Sequence, residues 1–392
     1  MTSDNNYFSS DGNYEKAKSW LKSQADEIGL EFNIVEFERP AEFAIWMTWK
    51  GSRPELKSIL LNSHIDVVPV DQDKWTWDPF AAEMDSNGNI FARGTQDMKS
   101  VGIQYLEAIR TLKVQGFVPE RSVHVSFVPD EELGGTKGMK VFVETPEFLK
   151  LNVGFGLDEG IGNPDESFVV SYGERAIWQV KFTAKGNTGH ALRFIEDTAA
   201  EKLQTVINKM LDLRCKEKKR LESDSNLGMG SVTSVNMTIL QGGLQINIVP
   251  PELSASFDLR VTPKWDISDA LKFLDGVCTE AGPGVSYEWI FRSDHGFAQT
   301  ELQGNSFWEA FEKACNEMEL KLDVQVFPGA TDIRYLRHIG IPALGFSPIN
   351  NTPVLLHDND EFLNDKVFLR GITIYERIIR NVTSAADVPT IP

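Results

Sequence analysis

The stretch VHVSFVPDEELGG, residues 123–135, joins a strand pattern to a cluster of acids. Val123, Val125 and Phe127 alternate with polar residues, and alternation with a period of two predicts a β-strand. Three acids and two glycines follow at once, which indicates a sharp turn where the strand ends. Functional sites of α/β proteins are built at such ends of sheet strands. The stretch therefore predicts an α/β fold with a site at this turn.

Strand-like and helical segments alternate around this stretch. The apolar side chains of Met98, Val101, Tyr105 and Ile109 recur on one face, which predicts an amphipathic helix. In chain order, we predict a strand at Ser58–Leu61, a helix at Gln96–Leu112, a strand at Val123–Val128, a helix beginning in Gly138–Glu144 and a strand at Val153–Leu157. Such alternation is typical of an α/β sheet with helices on both faces.

A different order of elements begins near Glu174. It runs strand, helix, strand, strand, helix, strand, which is the split βαβ arrangement of a ferredoxin-like domain. These elements are predicted at Ala176–Ala184, Asp197–Lys219 with Asp197 as the helix cap, Ser231–Leu240, Leu253–Val261, Asp266–Ala281 and Val285–Phe291.

The first pattern resumes after this second domain. We predict a helix at Ser306–Glu319, a strand at Asp323–Phe327 and a terminal helix at Asp365–Asn381. The predicted organisation is therefore an α/β domain of residues 1–173 and 292–392, interrupted by an inserted α+β domain of residues 174–291.

The composition argues against two classes of partner. The 392 residues carry a formal net charge of −18, and such an acidic surface repels nucleic acid and anionic membranes. No run reaches the ~18 apolar residues that a membrane helix needs. The polar, acidic start of the chain lacks the pattern of a secretory signal. We therefore predict neither a nucleic acid nor a membrane as a partner.

The cysteines are odd in number and far apart: Cys215, Cys278 and Cys315. We interpret them as free thiols in a reducing compartment, the cytoplasm. They are too few and too scattered to hold a metal alone, so any metal must bind nitrogen and oxygen. The last residues, Ser384–Pro392, are predicted to form a short disordered tail.

Two of the chemically interesting motifs are NSHID, residues 62–66, and ARGTQDMK, residues 92–99. His64 and Asp66 are two residues apart on a strand and share a face, so one can bind a metal while the other orients it. Such a pair also arises often by chance. Asp97, at the start of the predicted helix, is either a helix-capping acid or a carboxylate that bridges two cations.

The remaining candidate residues lie at the ends of predicted strands or, for His357, in a loop near the C-terminal end of the chain. Glu131 and Glu132 form either a solvated charge cluster or a functional pair. Adjacent residues project differently, so Glu132 can bind a metal while Glu131 faces the reaction. Glu159 in GLDEG follows another predicted strand, and His357 in LLHD supplies a second histidine.

Charge supports a site for two metal ions. Asp97, Glu132 and Glu159 supply three negative charges, and a bridging hydroxide adds a fourth. Two divalent cations balance that sum, and a partly buried site needs such neutrality.

In this combination and order, the motifs resemble the M20 family of metallopeptidases. The resemblance runs from about Tyr14 to about Arg380 and rests on LLNSHIDVVPV, ARGTQDMKS, FVPDEELGG, GLDEG, GNTGHA, SVTSVN, ATDIRYLR and TPVLLHD. SVTSVN and NTPVLLHD point to the aminoacylases within the family. The resemblance implies a zinc-exopeptidase-like catalytic domain with an inserted ferredoxin-like dimerisation or lid domain.

The resemblance also implies a role for each candidate residue. His64 and Glu159 would bind one ion, Glu132 and His357 would bind the other, and Asp97 would bridge the two. Glu131 matches the general base, and Asp66 matches the acid that supports the first histidine.

Further residues are implied in substrate recognition. Arg334 would hold the substrate carboxylate, and His190 would act on the site of a second subunit. Asn236 and Asn247 would contact the substrate from the lid. For Arg260 an ion pair within the lid explains the residue as well as a substrate contact does.

The implied activity is hydrolysis of N-acyl-L-amino acids to a free amino acid and a carboxylate. The implied cofactors are two Zn²⁺ per subunit, with Co²⁺ or Mn²⁺ as substitutes. The expected partners are the small-molecule N-acyl amino acid and a second copy of the chain, bound through the inserted domain. A dipeptidase or carboxypeptidase using the same ions, and a binding protein without turnover, are the alternatives.

One departure from the family concerns the N-terminus. A short polar stretch precedes Tyr14, where relatives usually have a further helix. It is interpreted either as a variant terminus without effect or as a truncated isoform with a less stable catalytic domain.

Overall fold

The computed structural model describes residues 12–38 and 42–386. Its helices are, in chain order, α1 (Asn13–Ile28), α2 (Lys99–Val114), α3 (Met139–Phe142), α4 (Pro146–Lys150), α5 (Ala199–Ser223), α6 (Ile267–Ala281), α7 (Ser306–Glu317), α8 (Ile333–His338) and α9 (Asp365–Thr383). Its strands are β1 (Glu31–Glu36), β2 (Phe43–Trp49), β3 (Ser58–His64), β4 (Glu83–Met84), β5 (Asn89–Phe91), β6 (Val123–Val128), β7 (Val153–Asp158), β8 (Phe168–Glu174), β9 (Ala176–Lys185), β10 (Gly189–His190), β11 (Ser234–Gly242), β12 (Ile248–Val249), β13 (Glu252–Val261), β14 (Val285–Ser293), β15 (Leu322–Phe327), β16 (Ala343–Phe346) and β17 (Phe362–Asn364).

The chain divides into two compact units. The first takes the described residues of 1–172, 300–324 and 331–392, and the second takes 173–299 and 325–330. The segment predicted as an insert, 174–291, lies within the second unit, which extends beyond it to Gln299.

The largest sheet has eight strands in the order β1-β2-β6-β3-β7-β16-β8-β15. Its middle strands β6, β3, β7 and β16 are parallel to one another. β2 pairs antiparallel with β6, β1 with β2, and β8 with β16. The sheet is therefore mixed, with antiparallel strands outside a parallel centre.

Apolar side chains cover both faces of this sheet. In β2, Phe43, Ile45 and Met47 belong to one core cluster, which α1, α2, α7 and α9 complete. Ala44 and Trp46, which point to the other face, belong to a second cluster with residues of α3, α4 and α8. Successive side chains of a strand point to opposite faces, so helices pack on both sides, as the sequence predicted.

The second unit contains a four-stranded sheet in the order β11-β13-β9-β14. All neighbours in it are antiparallel. Alternate residues of β9 are buried, including Trp178, Val180 and Phe182, and they join α5 and α6 in one core. The chain order of these elements is strand, helix, strand, strand, helix, strand, which is the predicted ferredoxin-like arrangement.

Two predicted helix starts are wrong. α2 begins at Lys99 rather than Gln96. α5 is capped by Thr198 rather than Asp197, because Thr198 and Glu201 form a reciprocal capping box: the Thr198 hydroxyl accepts from the Glu201 amide, and the Glu201 carboxylate accepts from the Thr198 amide. Asp197 instead pairs with Lys202 at 3.0 Å.

The prediction of a disordered tail from Ser384 is wrong for residues 384–386. Ala385 is buried, and its carbonyl accepts a hydrogen bond from Arg121 Nη2 at 2.8 Å. The rest of that tail and the polar N-terminal residues 1–11 lie outside the described residues. The three cysteines are free, as predicted. Within the described part of the chain, none of the helices has the length and apolar character to cross a membrane.

Candidate metal centre

The parallel strands bring the candidate residues to one edge of the sheet. β3, β6 and β7 are parallel neighbours, so their carboxyl ends meet. His64 is the last residue of β3, Glu131 and Glu132 lie in the turn directly after β6, and Glu159 follows β7. Asp97 reaches the same edge from the loop before α2.

Two groups of donor atoms meet there and share one carboxylate. His64, Asp97 and Glu159 form the first group, and Asp97, Glu132 and His357 form the second. His64 Nε2 lies 3.0 Å from Asp97 Oδ1 and 3.4 Å from Glu159 Oε2. His357 Nε2 lies 3.2 Å from Asp97 Oδ2 and 3.1 Å from Glu132 Oε2. The two oxygens of Asp97 thus face different histidines, which is the geometry of a bridging ligand.

This donor set fits two divalent cations. Zinc binds histidine nitrogen and carboxylate oxygen at roughly 2.0–2.2 Å in a tetrahedron, which separates neighbouring donors by about 3.3–3.5 Å. The four separations above, 3.0–3.4 Å, are close to that edge length. The sequence prediction of these five ligands agrees with the arrangement, and their metal binding stays a prediction.

Asp66 fixes the tautomer and the orientation of His64. His64 Nδ1 lies 3.0 Å from the main-chain oxygen of Asp66 and 3.3 Å from its carboxylate. Both partners accept, so Nδ1 carries a proton, and Nε2 is the nitrogen that would bind a metal ion. The support that the sequence assigned to the Asp66 carboxylate is therefore shared with the Asp66 main chain.

The Asp66 carboxylate also holds the acid turn after β6. Its Oδ1 accepts from the Glu131 amide and its Oδ2 accepts from the Glu132 amide, both at 3.2 Å. A single buried carboxylate thereby links the His64 strand end to the backbone of the two glutamates. The sequence offered no signal for this second function.

The field of the carboxylates favours positive charge at the histidines. Burial lowers the pKa of His64, but Glu159, Asp66 and Asp97 outweigh it and raise that pKa well above its ordinary value. Hydrogen bonds to Asp97 and Glu132 raise the pKa of His357 to about 10. Divalent cations would supply the same positive charge in place of the protons.

Glu131 lies in a setting that favours its protonated form. Burial raises the pKa of Glu131 well above its usual range, the carboxylates of Asp332 and Asp97 raise it further, and His64 and Arg334 oppose them. A carboxylate whose pKa lies above its usual range is closer to the value that suits proton transfer near neutral pH.

Arg334 is anchored by main-chain oxygens beside the acid turn. It is buried and donates to the carbonyls of Gly134, at 2.7 Å, and Thr331. Gly135, at φ +60°, lies so near α8 that an added Cβ would stand 1.9 Å from Asp332 Oδ1. The second glycine of DEELGG is therefore required by a close approach as well as by its backbone conformation.

The other predicted residues belong to the second unit. His190 in β10 is exposed, and its Nδ1 accepts from the Leu192 amide at 3.2 Å. The Asn247 carbonyl accepts from the Ala191 amide at 3.0 Å, so Asn247 and His190 lie on one short ribbon. Asn236 in β11 accepts from Arg214. Arg260 forms an ion pair with Asp258 at 2.8 Å. Of the two alternatives for Arg260, this contact agrees with an ion pair within the inserted domain.

Several supporting residues were missed by the sequence analysis. Asn62 donates to Asp158 at 3.1 Å and accepts from Ser126 at 2.7 Å, which ties β3 to β7 and β6 beneath the site. The fully buried Glu361 accepts hydrogen bonds from the loop that carries Asp97. The only available signal for Glu361 was an acid next to an apolar residue, four positions after His357, which is too common to single out.

Comparison with known proteins agrees with the motifs. Residues 60–381 match the model of peptidase family M20/M25/M40. The chain is 50% identical to aminoacylase-1A of Rattus norvegicus, across 97% of this chain and 92% of that protein, and 44% identical to aminoacylase-1 of Dictyostelium discoideum, across 95% and 93%. The YxeP protein of Bacillus subtilis, a dinuclear metal-binding peptidase of the M20 family, has the same fold: its crystal structure matches with a TM-score of 0.65 at 15% identity, across 95% of this chain and 93% of that one. The resemblance found in the sequence is therefore confirmed, and the chain belongs to peptidase family M20/M25/M40.

Proposed function

We propose that the chain hydrolyses N-acyl-L-amino acids to a free L-amino acid and a carboxylate, with two Zn²⁺ per subunit. The observation that carries the proposal is the pair of donor groups sharing Asp97, with Glu131 beside them. Half of the aligned residues are identical to those of a relative named aminoacylase over nearly all of both chains, which supports the substrate class.

The proposed ligands follow the two groups. His64 and Glu159 would hold one ion, Glu132 and His357 would hold the other, and Asp97 belongs to both groups. Bound divalent cations would lower the pKa of a water molecule and polarise an acyl carbonyl. Co²⁺ or Mn²⁺ would also suit these ligands.

The residues of the chain then manage protons and orientation. Glu131 accepts a proton from the attacking water as a carbon–oxygen bond forms, and it gives that proton to the nitrogen as the carbon–nitrogen bond breaks. Arg334 pairs with the α-carboxylate of the substrate through its planar guanidinium. His190 of a second subunit donates to the oxyanion, and Asn236 and Asn247 contact the substrate.

The homodimer is proposed to form through the second unit. β11 is an edge strand of the four-stranded sheet, and Met237, Ile239 and Leu240 on it are exposed, as are Leu244 and Ile246 after it. An exposed apolar edge strand can pair with another chain.

The proposed compartment is the cytoplasm. The three free cysteines fit a reducing environment of that kind.

A substrate panel with and without metal tests the activity. We expect turnover of N-acetyl amino acids above dipeptides, loss of turnover after chelation and recovery with Zn²⁺. Activity that survives complete removal of metal would contradict the dimetal site, and preference for dipeptides would replace the proposed substrate class. Binding of these ligands without turnover would indicate a binding protein.

The variant Glu131→Gln tests the general base. It keeps the shape of the side chain but cannot accept the proton, so kcat should fall about 10²–10⁴-fold. Metal content should stay at two ions per subunit, as measured by mass spectrometry of the metals. The exposed Glu144 provides the control: Glu144→Gln should leave both quantities unchanged. Full activity of Glu131→Gln would assign the base to another residue.

Mixed dimers test the role of His190. Subunits with His190→Ala and subunits with Glu131→Gln should each be nearly inactive alone. If His190 acts on the other subunit, a mixed dimer has one intact site and regains part of the activity. Verified mixed dimers without such recovery would place the function of His190 within its own subunit or outside catalysis.

A further inference from the structure

Two loops distant in sequence supply the bridging carboxylate and the second histidine. The Asp97 loop, residues 92–98, connects β5 to α2, and the His357 loop, residues 353–361, precedes β17. Both lack regular secondary structure of their own, and His357 has a φ of 62°, which residues other than glycine rarely adopt. Something other than a helix or sheet ladder must therefore hold the two ligands in place.

Glu361 binds the backbone of the Asp97 loop. Its side chain is fully buried, and its Oε1 accepts from the Gln96 amide at 2.7 Å, the Gly94 amide at 3.1 Å and the Asp97 amide at 3.3 Å. Arg93 Nη1 balances its charge at 2.9 Å. Three amides of the Asp97 loop are thereby bound to a side chain of the His357 loop.

Gln96 makes the reciprocal contacts. Its Nε2 donates to the carbonyls of Phe362, at 2.8 Å, and Pro353, at 3.1 Å, and its Oε1 accepts from the Leu355 amide at 3.0 Å. Both of its N–H donors and its carbonyl oxygen are used. Glu361 thus reaches from the His357 loop to the Asp97 loop, and Gln96 reaches back.

We infer that Gln96 and Glu361 form a clasp that sets the second metal position, the one assigned to Glu132 and His357. They are positioning residues, since they act through the backbones that carry Asp97 and His357. The inference rests on the proposed dimetal site. The first position depends less on the clasp, because His64 and Glu159 are held by the ends of β3 and β7.

The variant Gln96→Leu removes all three side-chain contacts at nearly constant volume. Mutation of a residue that hydrogen-bonds to a metal ligand or its backbone typically weakens metal affinity about 10–100-fold. We expect one ion to bind as in the unaltered protein and the second to bind at least tenfold more weakly, measured by competition with a chromophoric chelator. In the Co²⁺-loaded protein, the absorption of the second ion should change while that of the first remains.

A second buried glutamine provides the matched control. Gln104 in α2 donates to the Phe368 carbonyl at 2.9 Å, a hydrogen bond that ties α2 to α9 rather than one loop to the other. Gln104→Leu should lower stability yet leave both metal affinities unchanged. If Gln96→Leu does not fold, Gln96→Asn, which keeps an amide but is one methylene shorter, is measured in the same way.

The outcomes separate the inference from the proposed function. Unchanged affinity for both ions in the Gln96 variant, or an equal loss in the Gln104 variant, overturns the clasp while the dimetal site stands. An unaltered protein that binds no more than one ion overturns the proposed site and the clasp with it. A tenfold loss confined to the second position supports both.

Discussion

At the scale of single residues, acids and histidines of the same type have different surroundings in this chain. Glu131 and Glu132 are neighbours, but the turn after β6 directs Glu132 to His357 and leaves Glu131 free of that contact. His64 and His124 both lie on buried strands. His64 faces carboxylates, whereas His124 faces the Thr48 hydroxyl at 2.9 Å. Surroundings rather than residue type therefore decide which histidine is a candidate ligand.

His124 gives a prediction for stability against pH. Burial lowers the pKa of His124 to about 4, from about 6.5 in an unfolded chain. The unfolded state therefore takes up a proton at a higher pH than the folded state. The stabilisation is complete above pH 6.5 and is lost as the pH falls from 6.5 to 4, by about 3 kcal/mol in total.

Comparison with His124→Gln isolates this contribution. The variant should be less stable at pH 8, and its deficit relative to the unaltered protein should shrink by about 3 kcal/mol on going to pH 4. Chemical denaturation across that pH range measures the difference, with the exposed His338→Gln as the control. A constant deficit would mean that His124 is protonated to the same extent in both states.

At the scale of elements, periodicity predicted what depends on local pattern. Met98, Val101, Tyr105 and Ile109 are all fully buried, as the helical spacing indicated. The antiparallel strands β1 and β2 were not predicted. In β6 the polar residues His124 and Ser126 are as buried as the apolar ones. A second layer of helices covers their face, and no pattern within one strand reveals such a layer.

The sequence predicted the candidate ligands of the site, but not the residues that hold those ligands in place. The five proposed ligands lie in short motifs at strand ends, where residue type and position are both informative. The support comes from contacts over long separations, such as Glu361 with the Gln96 amide, 265 positions apart. These contacts depend on tertiary packing, and single residues in loops carry no periodic signal for it. The cap of α5 was mispredicted although its signal is local. Thr198, and not Asp197 before it, has a glutamate three residues later, which is the pattern of a capping box.

The edge strand β11 gives a prediction about assembly. Ile239 is 45% exposed there, and Ile290 on the opposite edge strand β14 is 55% exposed. If the dimer forms through β11, Ile239→Lys buries a charge in the interface and should shift the protein to monomers. Ile290→Lys is matched in residue type and exposure and should leave the dimer intact. Light scattering coupled to size-exclusion chromatography measures both, and dissociation by Ile290→Lys alone would move the interface to β14.

At the scale of the whole molecule, the two units differ in their buried charge: the candidate metal centre lies in the first unit only. The chain carries a net charge of −18, and buried acids crowd the candidate metal centre, where burial raises the pKa of Asp130 to about 6 and that of Asp332 well above its usual range. Two divalent cations would offset part of this repulsion. The second unit has a separate core and none of the proposed ligands. Metal should therefore stabilise the two units to different extents.

Calorimetry with and without metal tests this expectation. A ligand at a hundredfold its dissociation constant adds about 2.7 kcal/mol to the folded state, and one kcal/mol corresponds to about 2–4 °C for a domain of some 150–250 residues. Each ion should then raise the unfolding temperature of the first unit by roughly 5–10 °C. The unfolding temperature of the second unit should not change. Chelation should therefore lower only the transition of the first unit, which either splits one broad transition into two or reverses the order in which the two units unfold. A variant with Glu132→Gln should retain the shift from one ion only. A single transition that moves as a whole would show that the two units unfold together, and the metal would then stabilise the inserted core as strongly as its own site.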